Sequence, residues 1–267
     1  MDLELAGKSA FVSGSSSGIG SAIALGLAAE GCNVVIHGRD ADRCSTVAQQ
    51  CEAAGVKAAV ALGDLSNDAG ADAACDAALT AFPGIDILVN NCGRVLRYDN
   101  PAWDELTTED YINSMNVNVI AGVRLARRFA PHMRTQKWGR IINISSISGL
   151  HVDGGLVDYS IAKAALNKLS ADMSKSLGPQ GITVNTIVPG TTLTPAMEDY
   201  LAAFGKTHGC ASREETEGKY IEQNPQSVPR LGQPKDVAAL AAFLASPLSG
   251  TINGALYRID GGHARYV

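Results

Sequence analysis

Short runs of consecutive apolar residues alternate with Ala-rich stretches of helical length along most of the chain. SAFVS (9–13), NVVIHG (33–38), VKAAVALGD (56–64), IDILVNN (85–91), GRIINISS (139–146), GITVNTIVPG (181–190) and ALYRID (255–260) read as strands. Their apolar positions are nearly contiguous rather than alternating, as in a sheet buried on both faces. Between them the spacing predicts helices over about 19–30, 40–55, 66–82, 108–135, 157–177 and 234–245. Asp40 stands where it can cap the second helix, and Gly55 where it can end it. Strand–helix alternation of this kind predicts a three-layer α/β fold, a doubly wound parallel sheet of about seven strands with helices on both faces.

No Pro/Gly/Ser-rich linker interrupts the pattern, so a single domain over residues 1–267 is expected. Residues 191–233 break the alternation. They are polar, richer in charge and too long for an ordinary helix–strand connection, which marks a functional segment. Within them Leu193, Met197, Leu201 and Phe204 recur at near-helical spacing, a stripe that either closes over a substrate as a lid or packs on the body.

Composition narrows the classes. With 267 residues, 46% of them hydrophobic, the chain can bury a substantial core. The net charge of −5 without a Lys/Arg block argues against a nucleic-acid partner. No apolar run approaches the roughly 18–20 residues of a membrane helix. The N-terminal MDLELAGKSAFVSG has no basic region followed by an apolar segment. A cytoplasmic protein without a membrane partner is the expectation. Six cysteines and five histidines are scattered without metal-ligand spacing, so packed, reduced thiols and no metal are expected.

Candidate chemistry begins in SGSSSGIG (13–20), between the first strand and the first helix. Gly14, Gly18 and Gly20 free the backbone for a sharp turn and keep side chains away. A pyrophosphate could then approach the amides at the helix N-terminus, although a tight structural turn would have the same composition. Tyr159 and Lys163 lie four apart, on one face of a predicted helix. A phenol titrates near about 10, and a neighbouring ammonium favours its phenolate, which makes such a tyrosine a usable acid/base near neutrality. Ser145 and Ser146 end one strand and NNCG (90–93) ends another, at the sheet edge where ligands bind in this architecture. Asn118 lies in the long helix.

Taken in order, these motifs resemble the short-chain dehydrogenase/reductase family, single-domain type, and broadly its 3-oxoacyl-[acyl-carrier-protein] reductase-like members. The family's T-G-x-x-x-G-I-G appears as SGSSSGIG with Ser13 for threonine, and its N-N-A-G as NNCG with Cys92 for alanine. Y-x-x-x-K is Tyr159–Lys163, and the serine about thirteen residues earlier is Ser146 rather than Ser145. Pro189–Gly190, with Thr194 after it, matches the P-G motif, and RLGQPKDVAALAAFLAS and RIDGG resemble the C-terminal segments. The resemblance implies a Rossmann domain binding NAD(P) that interconverts a carbonyl and a secondary alcohol by hydride transfer. Tyr159 would be the general acid/base, Ser146 would hydrogen-bond the reacting oxygen, Lys163 would support Tyr159 and the ribose, and Asn118 would hold a relay water. It also implies a homotetramer or homodimer through the long helices and the last strand. A catalytically silent dinucleotide-binding sensor is the alternative, disfavoured because all four residues are retained.

For the cofactor, the resemblance places Ser16, Ser17, Ile19 and the glycines on the diphosphate. Asp64 and Leu65 fall on the adenine, Asn90, Asn91 and Gly93 along the adenosine and ribose, and Pro189, Gly190 and Thr194 at the nicotinamide. The position where NAD-users carry an acid is Gly38, followed by Arg39, which can pair with a 2′-phosphate. Asp40 is read as a helix cap rather than a ribose ligand. NADP(H) is therefore favoured and NAD(H) possible, with Ser17 standing where many NADP-users carry a basic residue. Candidate substrate contacts are Arg94, His151, Val152, Leu156 and Met197, and Arg97 lies beside them. Arg94 and Arg97 would clamp an acidic substrate or be solvated. His151 would bond the substrate or simply pack, and Cys92 reads as packing. The identity of the substrate is not legible.

Overall fold

The computed structural model describes residues 1–96, 101–151 and 156–263. Seven parallel strands form one sheet, β1 (Ser9–Val12), β2 (Asn33–Gly38), β3 (Ala58–Leu62), β4 (Ile87–Asn90), β5 (Gly139–Ile144), β6 (Ile182–Pro189) and β7 (Leu256–Ile259). Their order is β3-β2-β1-β4-β5-β6-β7, so the chain winds outward from β1 first one way and then the other. The doubly wound three-layer expectation holds.

Successive strand residues feed opposite layers. Ala10, Val12, Val34, Ile36, Ile87 and Val89 pack under α1 (Gly18–Ala29), α2 (Ala41–Ala53) and α9 (Pro234–Ala245). Phe11, Val35 and Leu88 pack on the other face against α3 (Asp68–Ala81) and α5 (Ala121–Gln136). Most strand residues therefore meet an apolar layer whichever face they point to, which explains the contiguous runs. Cys32, Cys44, Cys51 and Cys75 are buried, and all six cysteines are free. Burial pushes the Cys32 and Cys75 thiols up to about 12, so they pack as small apolar groups. Among the described residues no cluster of ligating side chains could hold a metal, and no helix is long and apolar enough to cross a membrane.

Asp40 caps α2, accepting from the Arg43 amide at 3.1 Å, and Gly55 follows that helix with φ +89°. Two expectations are corrected. The helix expected over 108–135 is α4 (Thr108–Met115), a π-helical turn at Asn116–Ile120, and then α5. The cause is Asn118, whose side-chain amide donates to the Ser114 carbonyl, the acceptor an α-helical turn would use, at 3.0 Å. Residues 191–233 are not a long irregular segment. They hold α7 (Pro195–Thr207) and α8 (Arg213–Gln223). Thr194 with Pro195 starts α7, Ser212 caps α8, and Phe204 meets Tyr220 edge-on at 5.6 Å between them. A short backbone bridge pairs Thr192 with Gly232, pinning the two ends of this excursion together. The remaining helix, α6 (Val157–Leu177), lies against β6.

Candidate active site

The turn after β1 is fixed by groups from three strands. Gly14 adopts φ +63°, a left-handed conformation that disfavours side chains. Its amide donates to His37 Nδ1 at 3.1 Å, and its carbonyl accepts from Asn91 Nδ2 at 3.2 Å. Ser13, the threonine substitute, is buried and accepts from the amides of Asn91 and Cys92, each at 2.9 Å. A Cβ on Gly20 would stand 2.4 Å from the Gly14 carbonyl oxygen, so only glycine permits the close return of the chain. Ser17 precedes α1 without its side chain capping the helix, which leaves first-turn amides for an anion. The Ile19 side chain packs on the core beneath the turn.

A cleft of about 300 Å³ opens beside this turn, lined by Ser16, Ser17, Gly38, Asp64, Leu65, Asn91 and Gly93 among others. Two exposed arginines on its wall, Arg39 and Arg43, come from the end of β2 and the first turn of α2. The Asp64 carboxyl is held below its usual range by its bonds to Ser66, with Arg39 and Arg94 adding to the effect. The strand-end position expected of an NAD-type acid is closed. A Cβ on Gly38 would lie 2.7 Å from Cys44 Sγ and 3.1 Å from Ser16 Cβ. Asp40 is spent on its helix cap.

At the carboxyl ends of β4 and β5 a second group of side chains meets. Lys163, buried in α6, donates from Nζ to the Ile144 carbonyl at 2.9 Å and stands 5.6 Å from the centre of the Tyr159 ring. Burial lowers its pKa to about 8. Ser145 is buried and donates to the Lys163 carbonyl at 3.3 Å, which ties β5 to α6. Ser146 is half-buried and accepts from the Ser148 amide at 3.2 Å, leaving its hydroxyl proton for another acceptor. Asn118 accepts from the Arg94 amide at 2.9 Å and donates to the Arg94 carbonyl at 3.0 Å. A Cβ on Gly93 would be 2.7 Å from Asn118 Oδ1 and 3.0 Å from Lys163 Nζ, so these three residues meet at one point.

The remaining candidates separate. Arg94 lines the cleft with Arg39 and Arg43, not the region around His151. His151 Nδ1 lies 2.8 Å from the Ile147 carbonyl, and its ring is 5.5 Å from that of His263, a residue the sequence did not single out. The Gly190 amide donates to Ile259 at 2.8 Å, fixing the end of β6, where Pro189 is the last residue. The Thr194 methyl lies 3.2 Å from where a Gly18 Cβ would stand, and the Thr194 hydroxyl accepts from the Met197 amide. The root of α7 therefore touches the glycine turn. Leu156 is half-buried just before α6, while Val152 and Arg97 lie outside the described residues.

Comparison with known proteins decides the family. A family model described as Enoyl-(Acyl carrier protein) reductase matches residues 14–264. The chain is 35% identical to the uncharacterised oxidoreductase YvaG of Bacillus subtilis (strain 168), over 100% of both proteins. It is 34% identical to the 3-oxoacyl-[acyl-carrier-protein] reductase FabG of Aquifex aeolicus (strain VF5), covering 98% of this chain and 99% of that one. Among solved structures, L-sorbose reductase from Gluconobacter frateurii, complexed with NADPH and L-sorbose, superposes with a TM-score of 0.94 over 100% of both chains at 32% identity. The chain belongs to the short-chain dehydrogenase/reductase family. It is an oxidoreductase of the nicotinamide-dinucleotide-dependent kind.

Two residues of this short-chain dehydrogenase/reductase escaped the sequence reading. Arg43 reaches the cleft only because α2 starts at Ala41, which puts its first turn beside the end of β2. The capping pair Asp40–Arg43 was the signal that could have found it. His37 is 2% exposed within a strand whose contiguous apolar run gave no hint of a polar task. Its Nε2 lies 3.2 Å from the Gly63 carbonyl, and burial pushes its pKa down to about 4.

Proposed function

We propose that this enzyme reduces a small hydroxylated ketone with NADPH, Tyr159 acting as the general acid, and runs the reverse oxidation with Tyr159 as base. The observation that carries the reading is Lys163, a buried ammonium held by the Ile144 carbonyl beside the Tyr159 ring. A positive charge there favours the phenolate and brings the phenol's proton into reach near neutrality. The bound dinucleotide supplies hydride chemistry, and the chain supplies orientation and proton handling. Ser146 keeps a hydroxyl proton to donate to the substrate oxygen as negative charge develops, next to the proton Tyr159 gives up. Asn118 acts through position, since its amide holds the backbone at Arg94 beside Lys163.

Cofactor fit is supported by the glycine turn and the uncapped first turn of α1. Preference for the 2′-phosphorylated form is supported by Arg39 and Arg43 beside a Gly38 position with no room for an acid. A polar substrate side is supported by Ser146, the His151–His263 pair and the Thr191 hydroxyl 3.4 Å from the Tyr220 hydroxyl. The similarity to a ketose reductase points the same way. Within a single domain, the α7–α8 excursion of residues 191–233 is the lid. Exposed Ile112 and Ile161 on α4 and α6, and Leu256 on edge strand β7, fit self-association.

The test is consumption of NADPH and of NADH with ketoses, sugar-acid ketones, 3-oxoacyl thioesters and ketosteroids. Turnover of a hydroxylated ketone with NADPH is expected. Binding of dinucleotide without turnover of any compound would overturn the reading in favour of a silent sensor.

A further inference from the structure

His37 ties two loops together at the carboxyl end of the sheet. Its ring is buried beneath the cofactor cleft, against Phe11 at 5.6 Å, and both ring nitrogens are committed to backbone groups from different loops. The Gly14 amide donates to Nδ1, so in the neutral ring the proton resides on Nε2, which donates to the Gly63 carbonyl. The main chain repeats the link. The Ser15 amide donates to the His37 carbonyl at 2.8 Å, and the His37 amide donates to Ser15 Oγ at 2.9 Å. None of these contacts belongs to the parallel ladder that pairs β2 with β1 and β3.

We propose that His37 is a positioning residue for the dinucleotide, locking the diphosphate turn at Gly14 to the adenine-side loop at Gly63–Asp64. The inference rests on the reading of the cleft as the cofactor site. Gly14 opens the turn that presents amides to the diphosphate. The Gly63 carbonyl belongs to the peptide whose other half is the Asp64 amide, so holding one fixes the plane of the other. Asp64 and Ser16 both line this cleft. A ring bridging their loops sets the width of the cleft before any ligand arrives, and preorganisation of this kind appears as affinity. Without the ring, the half-buried Gly14 amide loses the acceptor that fixes it and both loops are free to relax.

Equilibrium titration of the apo-protein with NADPH and with NADH tests this, using the parent, His37→Leu and His37→Asn, with each variant's unfolding midpoint recorded without cofactor. His37→Leu keeps the packing on Phe11 and removes both ring bonds. Its affinity for the preferred dinucleotide is expected to fall about tenfold, the scale of one hydrogen bond lost from the preorganised turn. His37→Asn returns an acceptor at the Nδ1 position and is expected to bind within about threefold of the parent, since the Gly14 amide is then satisfied. A leucine variant that binds within twofold of the parent would overturn the proposal, as would an asparagine variant that loses as much affinity as leucine. If the leucine variant does not fold, the asparagine variant decides alone, and a tenfold loss there sinks the idea. A parent that binds neither dinucleotide overturns the cofactor reading of the cleft and this proposal together.

Discussion

Lys163 Nζ stands 5.6 Å from the centre of the Tyr159 ring while it donates to the Ile144 carbonyl at 2.9 Å. The lysine therefore acts on the tyrosine as a fixed charge, anchored to β5. Tyr159→Phe removes the transferable proton and leaves that charge and the cleft unchanged. Turnover is expected to fall by about a thousandfold with dinucleotide affinity within a few-fold of the parent. Steady-state assays and cofactor titration on one preparation check this, and a variant keeping more than a few per cent of the parent rate would remove Tyr159 from the chemistry.

The same lysine gives a stability signature. Its pKa falls from the ordinary lysine value of 10.5 to about 8 on folding, through burial. Between those values the unfolded chain binds more protons than the folded one, so this group's contribution rises with pH across about 8 to 10.5. Below about 8 both states are charged and the burial cost is constant, of order 3 kcal/mol from the shift. Lys163→Met removes the titration. Relative to the methionine variant, the apo-parent is expected to gain stability as pH rises through this window, measured by denaturant unfolding at several pH values. A difference that is flat or falls with pH would contradict the assignment.

Much of the scaffold around this pair was legible in the sequence, for definite reasons. Strands buried on both faces show as unbroken apolar runs, and helices capped by Asp40 and Asn67 show as a polar residue before an Ala-rich stretch. The break at Asn116–Ile120 was hidden because nothing in the apolar periodicity says that the Asn118 amide will take the Ser114 carbonyl. Helix α7 was signalled only by the near-helical stripe of Met197, Leu201 and Phe204, and α8 was hidden, for another reason. Their exposed faces are polar, and what orders them is mutual packing of Phe204, Tyr200 and Tyr220 across a gap in sequence. The cleft followed the same division. Gly14 and Arg39 are readable from a motif, whereas Arg43 and His37 depend on helix phase and strand facing.

Ser145 and Ser146 are neighbours with opposite surroundings, and they separate by mutation. Ser146→Ala removes the hydroxyl proposed to donate to the substrate oxygen and is expected to lower kcat about a hundredfold with little change in unfolding midpoint. Ser145→Ala removes the bond to the Lys163 carbonyl and is expected to cost about 1 kcal/mol of stability with kcat nearly retained. Equal effects on kcat would mean that the two hydroxyls have been assigned the wrong way round.

Cofactor choice tests the wall of the cleft. Arg39→Ala and Arg43→Ala each remove a cation that an adenosine 2′-phosphate would meet, so each is expected to weaken NADPH about tenfold and leave NADH unchanged. Loss of both dinucleotides equally would place these arginines elsewhere on the ligand. The reverse substitution, Gly38→Asp, is expected to fail as a switch to NADH when made alone, because its Cβ meets Cys44 Sγ at 2.7 Å. Adding Cys44→Ala removes that obstruction, though Ser16 Cβ at 3.1 Å must still shift by a few tenths of an ångström. The double variant is therefore expected to bind NADH better than Gly38→Asp does, and to lose NADPH through repulsion between the new carboxylate and the 2′-phosphate. The ratio of kcat/KM for the two cofactors in parent, single and double variants reads this out. A single variant that gains NADH efficiency without the cysteine change would show that the wall yields and that sterics at Gly38 do not set the preference.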